Sequence, residues 1–314
     1  MPCICLSSNW AQLSSGFFTI QVIVVAELDA WLATWNTLPS VYLIVALVVG
    51  LIVGSFLNVV IYRLPKMLEQ AFRNDCCDFL GQEKSKEKTI SLSFPPSGCP
   101  HCQQKIKPWH NVPVISYILL KGKCAYCRKA ISVRYPIIET ATAVLTCATL
   151  WLLGLNTPSL AAVLLLWTLI ALTVIDIDTQ YLPDNLTLPL LWGGLIANYY
   201  GFYTSLESAL WGVIFGYLSL WSVYWLFKLI TKKEGMGYGD FKLLAALGAW
   251  LGAEMLPLII LLSSFVGAII GITMIIVFGR DKNIPIPFGP YLAVAGWIAF
   301  LWGEDIVSLY MRYI

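Results

Sequence analysis

Two aspartates at the edges of apolar segments are the residues best placed to do chemistry. Asp176 directly follows the apolar run 169–175, and Asp240 follows the glycine-rich stretch 235–239 and precedes another apolar segment. An ionisable residue at membrane depth is costly, so it usually faces a partner or a water-filled cavity. Two carboxylates that share one proton can activate water and protonate a leaving amine. Asp176 and Asp240 together therefore predict an aspartic protease.

Histidine chemistry is a poor alternative within the apolar part of the chain. The sequence has two histidines, His101 and His110, and both lie in a cysteine-rich segment far from the apolar runs. A Ser/His/Asp triad or a histidine-ligated metal centre inside the membrane is therefore very hard to build. Carboxylates remain as the candidate catalytic groups.

The composition indicates the elements that must position these carboxylates. Hydrophobic residues make up 58% of the 314 residues and charged residues only 12%, with a mean hydropathy of +0.75. These values indicate an all-α polytopic membrane protein. We predict about eight transmembrane helices, the sixth being short for a full crossing. The predicted spans are 41–62, 136–154, 159–176, 186–201, 208–230, 241–253, 256–278 and 288–304.

The positive charges predict the orientation of these spans. No lysine or arginine precedes Arg63, and 13 of the 20 lie between Arg63 and Arg134. Positively charged loops stay in the cytoplasm, so the segment 63–134 is predicted to be cytoplasmic and the N-terminus external. Asp176 and Asp240 are then both predicted to lie at the cytoplasmic face of a multi-pass membrane protein. We interpret the basic loop as an orientation signal and a contact for lipid headgroups, and expect no nucleic-acid partner.

The chain divides into four predicted regions. These are an N-terminal extension (1–38), a first transmembrane span (39–63), a small cytoplasmic insert (64–135) and a transmembrane peptidase core (136–314). We interpret residues 17–36 as interfacial or poorly ordered, because Glu27 and Asp29 interrupt their apolar character. By composition, residues 66–91 are predicted to be the most weakly ordered part, and the run 81–88 to be a solvated linker.

Four cysteines in the insert predict a metal site. Cys99 and Cys102 form one CxxC pair, Cys124 and Cys127 form a second, and 21 residues separate the two pairs. Two such turns present four thiolates to one tetrahedral zinc ion, which would have a structural role. In a reducing cytoplasm, disulfides are the weaker alternative. We do not expect His101 to be a ligand. The remaining cysteines have no comparable spacing: Cys3, Cys5, Cys76, Cys77 and Cys147.

The acidic residues around the proposed pair also have structural explanations. Asp184 follows Pro183 and precedes an apolar run, so we expect it to be a helix N-cap. Asp178 is expected to be solvated in a loop, and Asp240 could itself cap a helix after a flexible loop. Lys242 could pair with a carboxylate, but we expect it to reach the headgroups.

Two other functions use the same acids. Asp176, Asp178 and Asp184 could hold Mg²⁺ for a diphosphate-bearing lipid substrate, as in a membrane transferase. Alternatively, the carboxylates could couple ions to transport near a helix broken at the glycine-rich turn. Their position at one face, away from the membrane midplane, argues against transport.

Several blocks of sequence resemble the type IV prepilin peptidase family, from about Ile44 to the C-terminus. The resemblance rests on their order as much as on each block. The blocks are 54–65 (GSFLNVVIYRLP), the two CxxC pairs, 134–139 (RYPIIE), Asp176-Ile-Asp with Leu182-Pro-Asp, the glycine-rich block ending at Asp240-Phe-Lys, and 287–290 (PFGP). The N-terminal extension departs from the pattern because it is longer than the family usually has.

This resemblance implies a bifunctional enzyme. It implies an aspartate dyad at Asp176 and Asp240 that removes the basic leader of prepilins and of type II secretion pseudopilins. It also implies N-methylation of the new N-terminal residue with S-adenosylmethionine as methyl donor. Gly122 and Lys123 match a family stretch implicated in methyl transfer, and the residues that bind the methyl donor are not indicated.

Overall fold

The described part of the chain consists of α-helices and loops. A computed structural model describes residues 25–82, 89–233, 235–277, 279 and 286–313. Each of the eight predicted spans overlaps a helix. We number these helices α1 (Pro39–Leu80), α2 (Arg134–Leu153), α3 (Thr157–Thr179), α4 (Asp184–Tyr199), α5 (Leu206–Thr231), α6 (Tyr238–Leu251), α7 (Leu256–Ile276) and α8 (Gly289–Tyr313).

Six of the eight helices are long and apolar enough to cross a membrane, namely α1, α2, α3, α5, α7 and α8. Helices α4 and α6 have 16 and 14 residues and fall below a full crossing. Ten of the 14 residues of α6 are buried. Helix α6 is therefore surrounded by protein, and its length need not match the thickness of the bilayer.

Small residues allow α6 to lie close to its neighbours. A Cβ atom on Gly212 of α5 would lie 2.2 Å from the carbonyl oxygen of Gly248 in α6, so the two backbones are in direct contact. From α4, the Asn198 amide donates to the carbonyl oxygens of Ala249 and Trp250, at 2.7 and 3.0 Å. Close approach through glycine and buried amide hydrogen bonds are the usual means of helix association in a membrane.

Helices α1 and α2 form a second close contact. A Cβ atom on Gly50 would lie 2.6 Å from the Cα of Ala143, and one on Gly54 would lie 2.7 Å from the Cα of Glu139. Ile175 of α3 packs in the same cluster as Leu57, Ile61 and Leu64 of α1. The α1–α2 pair is thus joined to the helix that ends just after Asp176.

Helix α1 differs from the predicted boundary. It does not end near residue 63 but continues through Pro65 to Leu80, where Gly81 (φ 63°) caps it in the left-handed conformation. The prediction that residues 66–91 are weakly ordered is wrong for 66–80. That segment has no glycine and is rich in helix-forming residues, so its polarity was mistaken for disorder. Most of the predicted linker run, residues 83–88, lies outside the described residues.

Part of the N-terminal extension is also ordered. Residues 25–36 are helical, and Leu32 is buried. The Asp29 carboxylate accepts hydrogen bonds from the backbone N–H and the hydroxyl of Thr157, both at 2.7 Å, at the start of α3. The interpretation of poor order is therefore wrong for this segment, and residues 1–24 lie outside the described part.

Candidate active site

Asp176 lies in the last turn of α3 with its side chain turned into the protein. The residue is 5% exposed. Its Oδ2 atom accepts a hydrogen bond from the backbone N–H of Gly289, the first residue of α8, at 3.0 Å. A Cβ atom on Gly289 would lie 2.7 Å from the same oxygen. Glycine at this position is what allows the amide to reach the carboxylate.

Asp240 lies in the first turn of α6. The N-cap of this helix is Gly237, and no side chain caps it, so the alternative that Asp240 is the N-cap is wrong. Asp240 is 6% exposed. The preceding glycine, Gly239, packs against Leu182, since a Cβ atom there would lie 2.7 Å from the Leu182 Cβ. The positive end of the helix dipole favours a negative charge at this position.

Leu182 contacts residues next to both aspartates. This buried side chain touches Gly239 next to Asp240, and its Cδ1 lies 3.2 Å from the position of a Cβ on Gly289, the residue that binds Asp176. Among the described residues, no lysine or arginine forms an ion pair with either aspartate. The structure therefore buries both carboxylates around the same leucine side chain.

The neighbouring acids have cationic partners. Asp178 is still helical, and both of its carboxylate oxygens accept from the Arg134 guanidinium, one of them at 2.9 Å. Asp184 is the first residue of α4 and makes no capping bond. Its oxygens accept from Nζ of Lys242 at 2.7 and 2.8 Å. Asp178 is exposed, as predicted, but it lies in α3 rather than in a loop. The predictions of a capping Asp184 and a headgroup-directed Lys242 are wrong.

These ion pairs bear on the magnesium hypothesis. Two of its three ligands, Asp178 and Asp184, are each occupied by a cationic side chain. Within the part of the chain that the structure describes, the one cluster of groups suited to a metal ion is formed by cysteines. The carboxylates thus give no support to a magnesium-dependent transferase.

The four predicted zinc ligands converge. The Sγ atoms of Cys99, Cys102, Cys124 and Cys127 lie within 4.8 Å of one another, and those of Cys99 and Cys127 are 3.8 Å apart. A tetrahedral zinc ion with bonds of about 2.3 Å places its sulfurs about 3.8 Å apart. The donor set therefore fits zinc, and the exposed His101 is outside it.

The two CxxC turns have the same local structure, 25 residues apart. Gly98 bridges to Lys105 in the first turn, and Lys123 bridges to Ala130 in the second. The N–H of Gln103 donates to the Cys99 carbonyl at 2.8 Å, and that of Arg128 donates to the Cys124 carbonyl at 3.0 Å. Both donors have left-handed backbones, with φ of 56° and 60°. Each turn thus presents its two sulfurs in the same way.

Backbone amides favour the thiolate form of two of these cysteines. Hydrogen bonds from the backbone of Cys102 and of His101 lower the pKa of the Cys99 thiol to about 6. Equivalent bonds from Cys127 and Tyr126 lower the pKa of the Cys124 thiol. Because the thiolate is the form that binds a metal ion, these amides prepare the site for metal binding.

A cavity of about 510 Å³ lies between the cysteine-rich insert and the helices α1 and α2. Its lining includes Asn58 and Tyr62 of α1, Glu139 of α2, and Tyr117 and Tyr126 of the insert. Glu139 is 8% exposed, and its Oε2 accepts from the backbone N–H of Val114 at 2.8 Å. The sequence contained a signal for this site, because Glu139 is a charged residue in an otherwise apolar span.

The two predicted methyl-transfer residues lie beside this cavity and do not line it. Gly122 has a left-handed backbone (φ 66°), and a Cβ atom there would lie 2.9 Å from the hydroxyl of Tyr117, which does line the cavity. Lys123 is bridged to Ala130 in the second cysteine turn. Gly122 therefore contacts a residue of the cavity wall, and Lys123 belongs to the adjoining cysteine turn.

Arg63 attaches the insert to α1 and was not predicted to be functional. Its guanidinium donates to the carbonyl oxygens of Ser91, Leu92 and Pro95, at 2.9, 3.3 and 2.6 Å. All of these hydrogen bonds go to backbone oxygens. Arg63 forms no ion pair with an acidic side chain of the described residues.

Comparisons with known proteins cover nearly all of the helical region. Residues 48–153 match the bacterial peptidase A24 N-terminal domain, and residues 163–272 match the type IV leader peptidase family. Relatives described as prepilin leader peptidase/N-methyltransferase include those of Pseudomonas aeruginosa, Aeromonas hydrophila and Legionella pneumophila. They are 54%, 51% and 46% identical to this chain, over 88%, 87% and 87% of it, and each alignment covers 95% of the relative. No solved structure matches the chain significantly.

Proposed function

Because this chain belongs to the type IV leader peptidase family, we propose that Asp176 and Asp240 are the catalytic pair with which it removes the leader of type IV prepilins. The chain is a membrane-embedded protease and N-methyltransferase, as are the relatives it matches. The single observation that carries the assignment is the burial of two carboxylates, from α3 and α6, whose immediate neighbours Gly289 and Gly239 both contact Leu182.

The proposed hydrolysis follows from one shared proton. The ionised carboxylate takes a proton from water, whose oxygen attacks the carbonyl carbon of the scissile bond. The protonated carboxylate donates a hydrogen bond to the carbonyl oxygen. As the tetrahedral intermediate collapses, the C–N bond breaks and the leaving amine takes a proton from the pair. The two aspartates titrate as a coupled pair, so the roles of acid and base belong to the pair.

The position of the pair supports cleavage at the cytoplasmic face of the inner membrane. Asp176 lies at the C-terminal end of α3, and Asp240 and Gly289 lie at the N-terminal ends of α6 and α8. The helix order and the positive residues of 63–134 support an inner-side position for these ends. A basic leader in the cytoplasm, joined to an apolar helix in the bilayer, would present its scissile bond there. A basic leader joined to an apolar helix is also the form of substrate that we expect in pseudopilins, so we propose them as further partners. We expect no nucleic-acid partner.

The second activity needs a methyl donor and an ordered insert. We propose that the four cysteines hold a zinc ion in a closed shell, which would be structural because no position stays open for a reactant.

The methyl group of the second reaction would come from S-adenosylmethionine, which supplies it as an electrophile. The new N-terminal amine would accept that methyl group, with the electron pair of the broken C–S bond left on sulfur and one proton lost from the amine. Residues 136–314 would form the peptidase core.

Isosteric variants of the two aspartates test the assignment. Asp176→Asn and Asp240→Asn should each lower the rate of leader cleavage by at least about a thousandfold, since each removes half of a proton-sharing pair. Asp178→Asn is the matched control, because this acid is half-exposed and paired with Arg134, and it should retain most of the activity. Gel-based cleavage of a purified prepilin measures all three. An inactive Asp178→Asn beside an active Asp176→Asn would refute the assignment.

A further inference from the structure

Glu139 is a buried carboxylate without a cationic partner. It is 8% exposed, accepts from the Val114 N–H and interacts with the hydroxyl of Ser55. No lysine or arginine of the described residues forms an ion pair with it. Two cationic side chains line the same cavity: Arg63 donates to backbone carbonyls, and Lys129 forms no ion pair with Glu139. A buried charge is costly unless an opposite charge compensates it, so this carboxylate is suited to a cation that enters the cavity.

The cavity wall is suited to an organic cation. Tyr117, Tyr126 and Tyr135 line it together with Glu139, and a fourth tyrosine of the lining, Tyr62, already has the Lys66 ammonium over its ring. Aromatic faces attract cations that are poorly hydrated, including onium groups. A hard metal cation would need several oxygen ligands, whereas Glu139 is the one carboxylate that lines this cavity. The volume of about 510 Å³ falls within the range of small-molecule sites, about 300–1,000 Å³.

We propose that this cavity binds the methyl donor of the second activity and that Glu139 compensates its sulfonium charge. The inference rests on the proposed methyltransferase function, which requires a sulfonium donor. The cavity also adjoins the cysteine turns, since Cys99 and Cys124 are part of its lining. Zinc binding would therefore fix the wall that faces the donor, and Gly122 would fix the position of Tyr117.

Charge discrimination tests this assignment independently of catalysis. Isothermal titration of the full chain in nanodiscs compares S-adenosylmethionine, a sulfonium, with S-adenosylhomocysteine, the neutral thioether. The unmodified chain should bind the sulfonium at least about tenfold more tightly (~1.4 kcal/mol). Glu139→Gln keeps an acceptor for Val114 and should bind the two ligands alike. Glu69→Gln is the matched control, because this carboxylate of α1 is exposed and paired with Arg73. Equal weakening of both ligands by Glu139→Gln would refute the charge role.

A second experiment locates the site without relying on that variant. Ultraviolet cross-linking of radiolabelled S-adenosylmethionine to the unmodified chain, followed by peptide mapping, should label peptides from 55–63 or 112–139. Val59→Trp, which fills the cavity from α1, should abolish the label while leader cleavage continues. A label confined to other peptides would overturn the proposed site and leave the methyltransferase function standing. Absence of any binding to the active, unmodified chain would refute both.

Discussion

The contact between Gly289 and Asp176 gives a quantitative prediction for the peptidase. In a Gly289→Ala variant the new Cβ would lie 2.7 Å from Oδ2 of Asp176 and 3.2 Å from Cδ1 of Leu182. Non-bonded carbon and oxygen atoms normally stay about 3.3 Å apart or more, so the carboxylate or the start of α8 must move by roughly 0.6 Å. Such a shift disrupts the 3.0 Å hydrogen bond from the Gly289 N–H.

The size of the effect follows from the bond that is lost. A hydrogen bond to a charged group contributes about 1.5–3 kcal/mol. Each ~1.36 kcal/mol changes a rate tenfold, so kcat should fall by about 10- to 150-fold if the bond holds Asp176 in its reactive position. KM should change little, because the substrate does not lose a contact.

The assay is steady-state cleavage of a prepilin by the purified variant, with a thermal melt of the same sample. Gly193→Ala is the matched control, since a Cβ there would meet its nearest neighbour, Trp250, at 3.5 Å, an ordinary contact. The control should keep both kcat and melting temperature. A Gly289→Ala variant with an unchanged kcat would show that the amide of Gly289 does not position Asp176.

Two further predictions concern the ion pair beside Asp240 and the cysteine cluster. Reversing one charge, in Asp184→Lys or Lys242→Asp, should lower the cleavage rate about 2- to 5-fold, because a partly exposed ion pair contributes about 0.5–1 kcal/mol. The double reversal should restore the rate. A double variant no faster than the slower single variant would exclude a positioning role for this pair. Cys99→Ser should reduce the zinc content measured by mass spectrometry from about one ion per chain to none, and Cys147→Ser is the control that should keep its zinc. One zinc ion retained in Cys99→Ser would exclude this cysteine as a ligand.

The positions of the helices could be predicted from the sequence because hydropathy is a local property. Each of the eight spans corresponds to an apolar run in the sequence, and the run for α6 is short enough to predict the short length of that helix. The convergence of Cys99, Cys102, Cys124 and Cys127 was predictable for a similar reason, since the CxxC spacing fixes the direction of two sulfurs at once.

The partners of the charged residues could not be predicted, because they come from distant parts of the chain. Asp178 pairs with Arg134 across 44 positions, and Asp184 pairs with Lys242 across 58. Local spacing makes Asp184 look like an N-cap, yet a tertiary partner for the carboxylate outweighs a capping bond. The role of Gly289 was equally hidden, since it depends on where α8 begins relative to the end of α3.

The unbroken helix α1 sets the height of the insert above the bilayer. The 25 residues from Pro39 to Arg63 span about 37 Å at 1.5 Å each, slightly more than the hydrocarbon thickness of about 30 Å. With the orientation proposed above, Arg63 would stand at the inner water boundary, and its bonds to Ser91, Leu92 and Pro95 would hold the insert at that level. Both chemical steps would therefore take place in one thin layer at the membrane surface. A mature pilin could be methylated while its helix stays in the bilayer. It would move along the membrane surface from the peptidase site to the methyl-transfer site without leaving the membrane.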